Sequence, residues 1–392
     1  MRRVLILFLM VLLLLCSVPA QAAKLNIVAQ GAVLMDKESG RLLFAHNPHT
    51  PLPPASTTKI MTILLGLELG QPEEIVTISR LAQYQEGSRV YLEEGEEYTL
   101  QELLYATQLA SANDAAVAVA EHLAGSVEDF ARLMNQRARE LGAKNTNFVN
   151  PNGLPHPEHR TSAYDLALIT RQALQYPEYR ELITTSSYPM SWPGRDEDRQ
   201  LRNANKLFHI YPGADGVKTG YTTEAGHTFV GSATREGRQL ISVVLGSDNS
   251  SVWSDTTSLL DYGFENFSNE QLLAPGEEVA LAEVKYGSPV PLISSEGFTY
   301  PLAAGELAKI TTEVELLADI VAPIAEGEPL GTLKVFLKDE ELARIPLMAL
   351  ERVKRRIYTR WWFWPLALYV PWRTWVGFRR LKRHRRRRRW KV

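Results

Sequence analysis

The sequence predicts an α+β (α/β) domain whose sheet draws strands from both ends of one segment. A small all-β domain and a basic, aromatic tail follow it. Three observations carry this expectation. Within residues 23–267, strand-like runs come first and last and helical patterns fill the middle. Residues 268–350 turn to short alternating runs punctuated by Gly and Pro. Residues 351–392 combine a tryptophan-rich apolar run with a dense cluster of arginines.

At 392 residues the chain has room for two domains or more. Its net charge of -2 hides a strong asymmetry: residues 352–392 hold 16 Lys and Arg and no acid. Residues 23–351 hold 25 Lys and Arg against 45 acids, a net of -20. So acidic a body excludes nucleic acid as the ligand of the folded part.

Met1-Arg2-Arg3, the apolar run Val4 to Val18 and the small residues Ala20 and Ala22 read as a signal peptide over residues 1–22. Export to the outer face of the cell membrane is therefore expected. Cys16 is the only cysteine and lies inside that segment. Cleavage after Ala22 leaves a chain without a thiol, which excludes disulfides, a Cys nucleophile and Cys-ligated metal.

Along the mature chain, Ala32 to Met35 and Leu42 to Ala45 flank a polar turn and read as a β-hairpin. Pro53-Pro54 then permits a helix start, and the apolar run from Ile60 predicts a buried helix. Helical patterns follow at Leu100–Leu109, Ala115–Ala124, Phe130–Leu141 and Tyr164–Leu174, the last stopping near Pro177. Trp192 to Asn205 reads as loop. Thr228–Ala233 and Leu240–Leu245 read as paired strands, and Leu259–Phe267 as a closing helix.

The chemistry sits in three short motifs in fixed order: Ser56-x-x-Lys59, Ser111-Ala112-Asn113 and Lys218-Thr219-Gly220. A serine hydroxyl needs a nearby base to attack a carbonyl, and a desolvated lysine one helical turn away can serve. Ser56 is the expected nucleophile and Lys59 the base. Ser111 can relay a proton to a leaving amine. Asn113 can hold Lys59 and donate to a substrate amide. Lys218 and the Thr219 hydroxyl suit a terminal carboxylate. Gly220 lets a substrate backbone approach, and the Tyr221 N–H can form an oxyanion hole with that of Ser56. No metal set is expected: His156 and His159, three positions apart, lack a recognisable partner spacing and read as surface residues.

With these motifs in place the chain resembles the low-molecular-mass penicillin-binding D-alanyl-D-alanine carboxypeptidases, within the serine β-lactamase and penicillin-binding superfamily. The resemblance rests on Pro54-Ala55-Ser56-Thr57-Thr58-Lys59, Ser111-Ala112-Asn113-Asp114-Ala115-Ala116 and Asp215 to Thr222 with Ala225-Gly226. Asn150-Pro151-Asn152-Gly153-Leu154 and Asn203-Ala204-Asn205 fit as well. It implies a serine β-lactamase/transpeptidase-like domain with an antiparallel sheet flanked by helices and a helical subdomain beside it. It also implies removal of the terminal D-alanine from peptidoglycan stem pentapeptides through an acyl-enzyme on Ser56. Penicillins and other β-lactams would be covalent inhibitors, and no cofactor is implied. The rival readings are a D,D-endopeptidase or β-lactamase with the same nucleophile, and an inactive scaffold that binds wall peptides. The Glu-x-x-x-Asn segment of class A β-lactamases does not occur between Ser111 and Lys218.

The tail holds Trp361 to Trp372 without a charge, too short a run to span a bilayer. Val353, Ile357 and Trp361 recur every fourth residue, as in an amphipathic helix lying on a membrane. Arg379 to Lys391 suits anionic lipid headgroups. Attachment to membrane lipids through this tail is the expectation.

Overall fold

A computed structural model describes residues 25–389. The expected signal peptide and Cys16 lie outside the described residues, as do Trp390 to Val392. The chain forms two compact units that part between Ser268 and Asn269.

The first unit is built on a five-stranded antiparallel sheet. Its strands are β1 (Gly31–Asp36), β2 (Leu42–His46), β3 (Ala214–Thr222), β4 (Gly226–Arg235) and β5 (Arg238–Ser247), in the order β2-β1-β5-β4-β3. The first and last strands of the unit are thus central neighbours, with Gly31 opposite Leu245 and Asp36 opposite Leu240. β3 is an edge strand, so one of its sides carries unpaired backbone groups.

Among the described residues, seven helices of eight residues or more cover the sheet or form a helical layer beside it: α1 (Lys59–Leu69), α2 (Leu100–Leu109), α3 (Asn113–Ala124), α4 (Val127–Glu140), α5 (Ala163–Ala173), α6 (Pro177–Thr184) and α7 (Ser251–Asn266). α1 is apolar on all sides because it is buried on all sides: Ile60, Met61, Ile63 and Leu64 have no exposure. Each such side chain contributes roughly 1.5–3 kcal/mol through burial. Gly66 lets α1 and α2 approach, since a Cβ there would lie 2.6 Å from a Leu104 methyl. α2 starts on a capping box between Thr99 and Glu102, and α3 stops at Gly125, whose φ is 81°.

Two details differ from the sequence reading and one adds to it. The helix over Ala163–Ala173 stops before Pro177 as expected, and Pro177 then opens α6 at its first position, where a missing N–H costs nothing. The polar stretch 192–205 contains a strand, Arg199–Arg202, paired with Ser187–Met190. Phe267 leaves α7 and begins a strand over Phe267–Leu273.

The second unit holds a five-stranded antiparallel sheet, ordered Glu278–Ala282, Val290–Ser294, Glu340–Ala349, Pro329–Leu337, Ile310–Leu316. Period-two burial of Leu333, Val335 and Leu337, and of Ile345, Leu347 and Ala349, supplies its core. The expected amphipathic helix over Val353, Ile357 and Trp361 does not form. Val353 is buried in the core of the sheet unit and its backbone pairs with Ile324. A helix runs instead over Phe363–Arg389 with Pro371 inside it. Among the described residues no helix is long and apolar enough to cross a membrane.

Candidate active site

Ser56 sits in a single 3-10 turn, Ala55–Thr58, that leads into α1. Lys59 is the first residue of α1, and its Nζ lies 3.0 Å from Ser56 Oγ. The same nitrogen donates to Asn113 Oδ1 and to the Asn152 carbonyl, each at 2.7 Å. Lys59 is fully buried. Burial, and after it the Lys218 charge, push its pKa well below the usual lysine range, against a smaller opposing pull from Asp114. A neutral amine has two hydrogens and one lone pair. With both hydrogens committed to the two carbonyl oxygens, the lone pair is left for the Ser56 hydroxyl proton. This geometry suits a serine nucleophile paired with a lysine base.

Two glycines make room at the serine backbone. A Cβ on Gly220 would lie 2.9 Å from the Ser56 nitrogen. A Cβ on Gly153, whose φ is 85°, would lie 1.9 Å from the Ala55 carbonyl oxygen. Ala55 itself has φ 49°, and Ser111, between α2 and α3, has φ 55°. Strained backbone at Ala55, directly before Ser56, and at Ser111 is held by the packing around it.

Ser111 Oγ accepts from Lys218 Nζ at 3.0 Å, which joins the second motif to the third. Lys218 is buried, and that burial lowers its pKa to about 7. The Lys218 charge thus disfavours a second charge on Lys59 and adds to the effect of burial there. Gln108 on α2 donates to the Val217 carbonyl at 2.7 Å and anchors β3 beside the helices. Asn113 Nδ2 gives one hydrogen to the Glu86 carbonyl at 2.6 Å, which leaves its second hydrogen for another acceptor. The buried Asp114 carboxylate accepts from the Val90 and Leu92 N–H groups and so fixes the loop that bears Ser88.

A cavity of about 430 Å³ opens over these groups. Ser56, Ser111, Lys218, Thr219, Gly220 and Tyr221 line it. Lys59 and Asn113 lie beneath it, reached through the hydrogen bonds above. Tyr221 is exposed, and its ring packs on His227 at 4.6 Å between centroids. All eight residues picked from the sequence are therefore gathered at one place.

Other residues of the site escaped the sequence reading. Arg202 and Ser88 line the same cavity. Asn152 contributes its backbone carbonyl, which no side-chain pattern announces. His159 corrects an expectation: it is not a surface residue but buried, while His156 is exposed. The Val149 N–H donates to its Nδ1 at 2.9 Å, so Nε2 carries the proton and donates to Thr58 Oγ1 at 2.8 Å. Thr58 Oγ1 in turn donates to the Ala55 carbonyl at 2.8 Å. Burial first, then His156 and Arg160, push the His159 pKa down to about 3, so the ring stays neutral. The ring thereby ties the 147–160 loop to the turn that presents Ser56.

A fold with a serine–lysine pair, a second serine–lysine contact and an edge strand beside the nucleophile defines a serine acyl-transfer enzyme by its class. Comparison with known proteins makes this specific. Residues 18–249 match the peptidase family described as D-alanyl-D-alanine carboxypeptidase. Residues 267–355 match the C-terminal domain of penicillin-binding protein 5. The chain is 37% identical over 336 residues to the D-alanyl-D-alanine carboxypeptidase DacF of Bacillus subtilis, covering 83% of this chain and 86% of that one. It is 31% identical over 353 residues to DacD of Escherichia coli, covering 86% and 90%. Among solved structures, penicillin binding protein 5 of Haemophilus influenzae superposes with a TM-score of 0.71 at 30% identity, over 84% of this chain and 99% of that one. The chain belongs to the D-alanyl-D-alanine carboxypeptidase family of serine peptidases.

Proposed function

We propose that this protein is a serine-type D-alanyl-D-alanine carboxypeptidase that trims peptidoglycan stem pentapeptides and is acylated by penicillins. Family membership supports the activity, and the 3.0 Å contact between Lys59 Nζ and Ser56 Oγ is the observation that carries the mechanism. Lys59 takes the Ser56 proton as Oγ attacks the carbonyl carbon of the penultimate D-alanine. The oxyanion forms against the Ser56 and Tyr221 N–H groups. Ser111, in contact with Lys218, gives its hydroxyl proton to the leaving amine and is reprotonated with the proton that Lys59 took, so Lys59 is neutral again as the C–N bond breaks and free D-alanine departs. Water then attacks the ester and gives a proton to Lys59, which returns it to Ser56 Oγ as the acyl–oxygen bond breaks and the shortened peptide leaves as its acid. Asn113 keeps Lys59 in place and donates to the substrate amide. Lys218 and Thr219 hold the terminal carboxylate, and binding that anion favours the charged form of Lys218. Gly220 keeps the path along β3 open.

The direct test is release of free D-alanine from a peptide ending in D-Ala-D-Ala, run beside penicillin hydrolysis. We expect D-alanine release with penicillin held as a slowly hydrolysed adduct. Fast penicillin turnover without D-alanine release would instead identify a β-lactamase.

The family works on cell-wall peptidoglycan, outside the cytoplasm. For this chain we propose export through residues 1–22 and attachment to membrane lipids through the tail. Exposed Trp361, Trp364, Leu366, Leu368 and Trp372 support an interfacial position, and the arginines that follow suit anionic headgroups. Because Val353 belongs to the sheet unit, the informative truncation removes residues 361–392 and spares it. That protein, also lacking residues 1–22, is expected in the soluble fraction and active on a short peptide. Sedimentation with membranes would contradict the assignment.

A further inference from the structure

A second cavity lies beside Ser56, and the direction of the substrate decides what enters it. β3 is the edge strand of the sheet, so a peptide can add to its open side through backbone hydrogen bonds. Alternate residues of a strand share a face, which puts Lys218, Gly220 and Thr222 in line. With the terminal carboxylate at Lys218 and the scissile carbonyl beside Gly220, the remaining peptide has to continue toward Thr222. At about 3.3 Å per residue, the amino acid before the penultimate D-alanine lies level with Thr222 and the turn beyond it.

The cavity stands at that level. Its volume is about 390 Å³, ample for one long side chain. Pro53, Pro54, Pro155 and Pro157 stiffen its walls, and it begins at Ala55, next to the nucleophile. Its charged members are Glu224 and Arg160, with His156 between the prolines. The Arg160 backbone pairs in both directions with Asn147, and its Nε donates to the Pro157 carbonyl at 3.0 Å. That leaves the two terminal nitrogens of the Arg160 guanidinium uncommitted, a pair of donors of the kind that matches a carboxylate. Among the described residues neither Glu224 nor those terminal nitrogens are engaged by another side chain.

We infer that this cavity receives the side chain of the third stem residue and selects one that ends in a zwitterionic head, an ammonium and a carboxylate on a single carbon. Glu224 takes the ammonium and Arg160 the carboxylate. A side chain ending in an ammonium alone engages Glu224 and leaves Arg160 unpaired. The inference rests on the carboxypeptidase reading above and adds the specificity of the same groove.

The test uses two pentapeptides, L-Ala-γ-D-Glu-X-D-Ala-D-Ala, with X either meso-diaminopimelate or L-lysine. Wild-type protein should show kcat/KM at least about tenfold higher for the diaminopimelate peptide, as expected for a hydrogen-bonded charge pair. Arg160→Gln should bring that ratio close to one, and Glu224→Gln should lower kcat/KM for both peptides. Covalent capture of penicillin reports whether each variant is folded, and the wild-type ratio decides without any variant. Equal kcat/KM for the two peptides, a preference for lysine, or a tenfold preference that survives in folded Arg160→Gln would each overturn the inference. Release of D-alanine from neither peptide would overturn the carboxypeptidase reading itself, a result separable from loss of selectivity.

Discussion

Ser56→Ala is expected to abolish covalent labelling by a fluorescent penicillin and to lower D-alanine release on the order of a millionfold, the scale seen when a serine nucleophile is removed. The substitution deletes one oxygen. It leaves the Lys59 contacts with Asn113 and Asn152 in place, so the fold and the groove should persist. Thermal unfolding close to that of the wild type, together with loss of the labelled band, is the expected pair of results. Ser111 is the other serine hydroxyl lining the cavity within reach of a lysine amine. A labelled band at full strength in Ser56→Ala would move the nucleophile there.

Lys59→Met should cost about 10²–10⁴ in the acylation rate, the range for losing a positioned general base. The methionine fills similar space but has no lone pair to take the Ser56 proton, and it leaves two carbonyl oxygens without a donor. In the wild type the same dependence shows as an acid limb. Acylation should fall as pH drops through the lowered Lys59 pKa, because the protonated amine cannot accept. In Lys59→Met that limb should disappear along with most of the rate. A rate in Lys59→Met that matches the wild type at neutral pH would remove Lys59 from the role of base.

The buried lysines also set a sign for stability against pH. Folding lowers the pKa of both, so between the folded value and 10.5 the unfolded chain binds more protons. For Lys218 that window opens at about 7. The cost of burying the charge is fully present below it and is relieved as pH rises across it.

Much of the site was legible because its chemistry resides in side chains at short, ordered spacings. Ser56 and Lys59 are one turn apart, and the apolar run after them already required a buried helix. What the sequence hid falls into three kinds. Asn152 acts through a carbonyl that every residue possesses. His156 and His159 lie on either side of Pro157, yet only the fold buries one and exposes the other. Arg202 lies in a polar stretch whose strand has little apolar alternation, and its pairing with Ser187–Met190 is set by tertiary contacts. The tail shows the converse error. Val353, Ile357 and Trp361 have helical spacing, but Val353 is the last core residue of a sheet unit and the period spans two different elements. The order of strands, helices and strands gave the sheet its two-ended origin correctly, because hydrophobic patterning is strongest where both faces are covered.

That two-ended sheet has a consequence for how the chain is made. β1 rests between β2 and β5, and its partners on the β5 side are more than two hundred positions away in sequence. A ribosome delivers the β1–β2 hairpin early, but the central pairing has to wait for Arg238–Ser247. Until then the nascent polypeptide has no completed sheet on which its helices can settle, and such long-range closure is slow. If the chain is exported as proposed above, threaded through a membrane as an extended polymer, this late closure would keep the passenger pliable until its journey is nearly done.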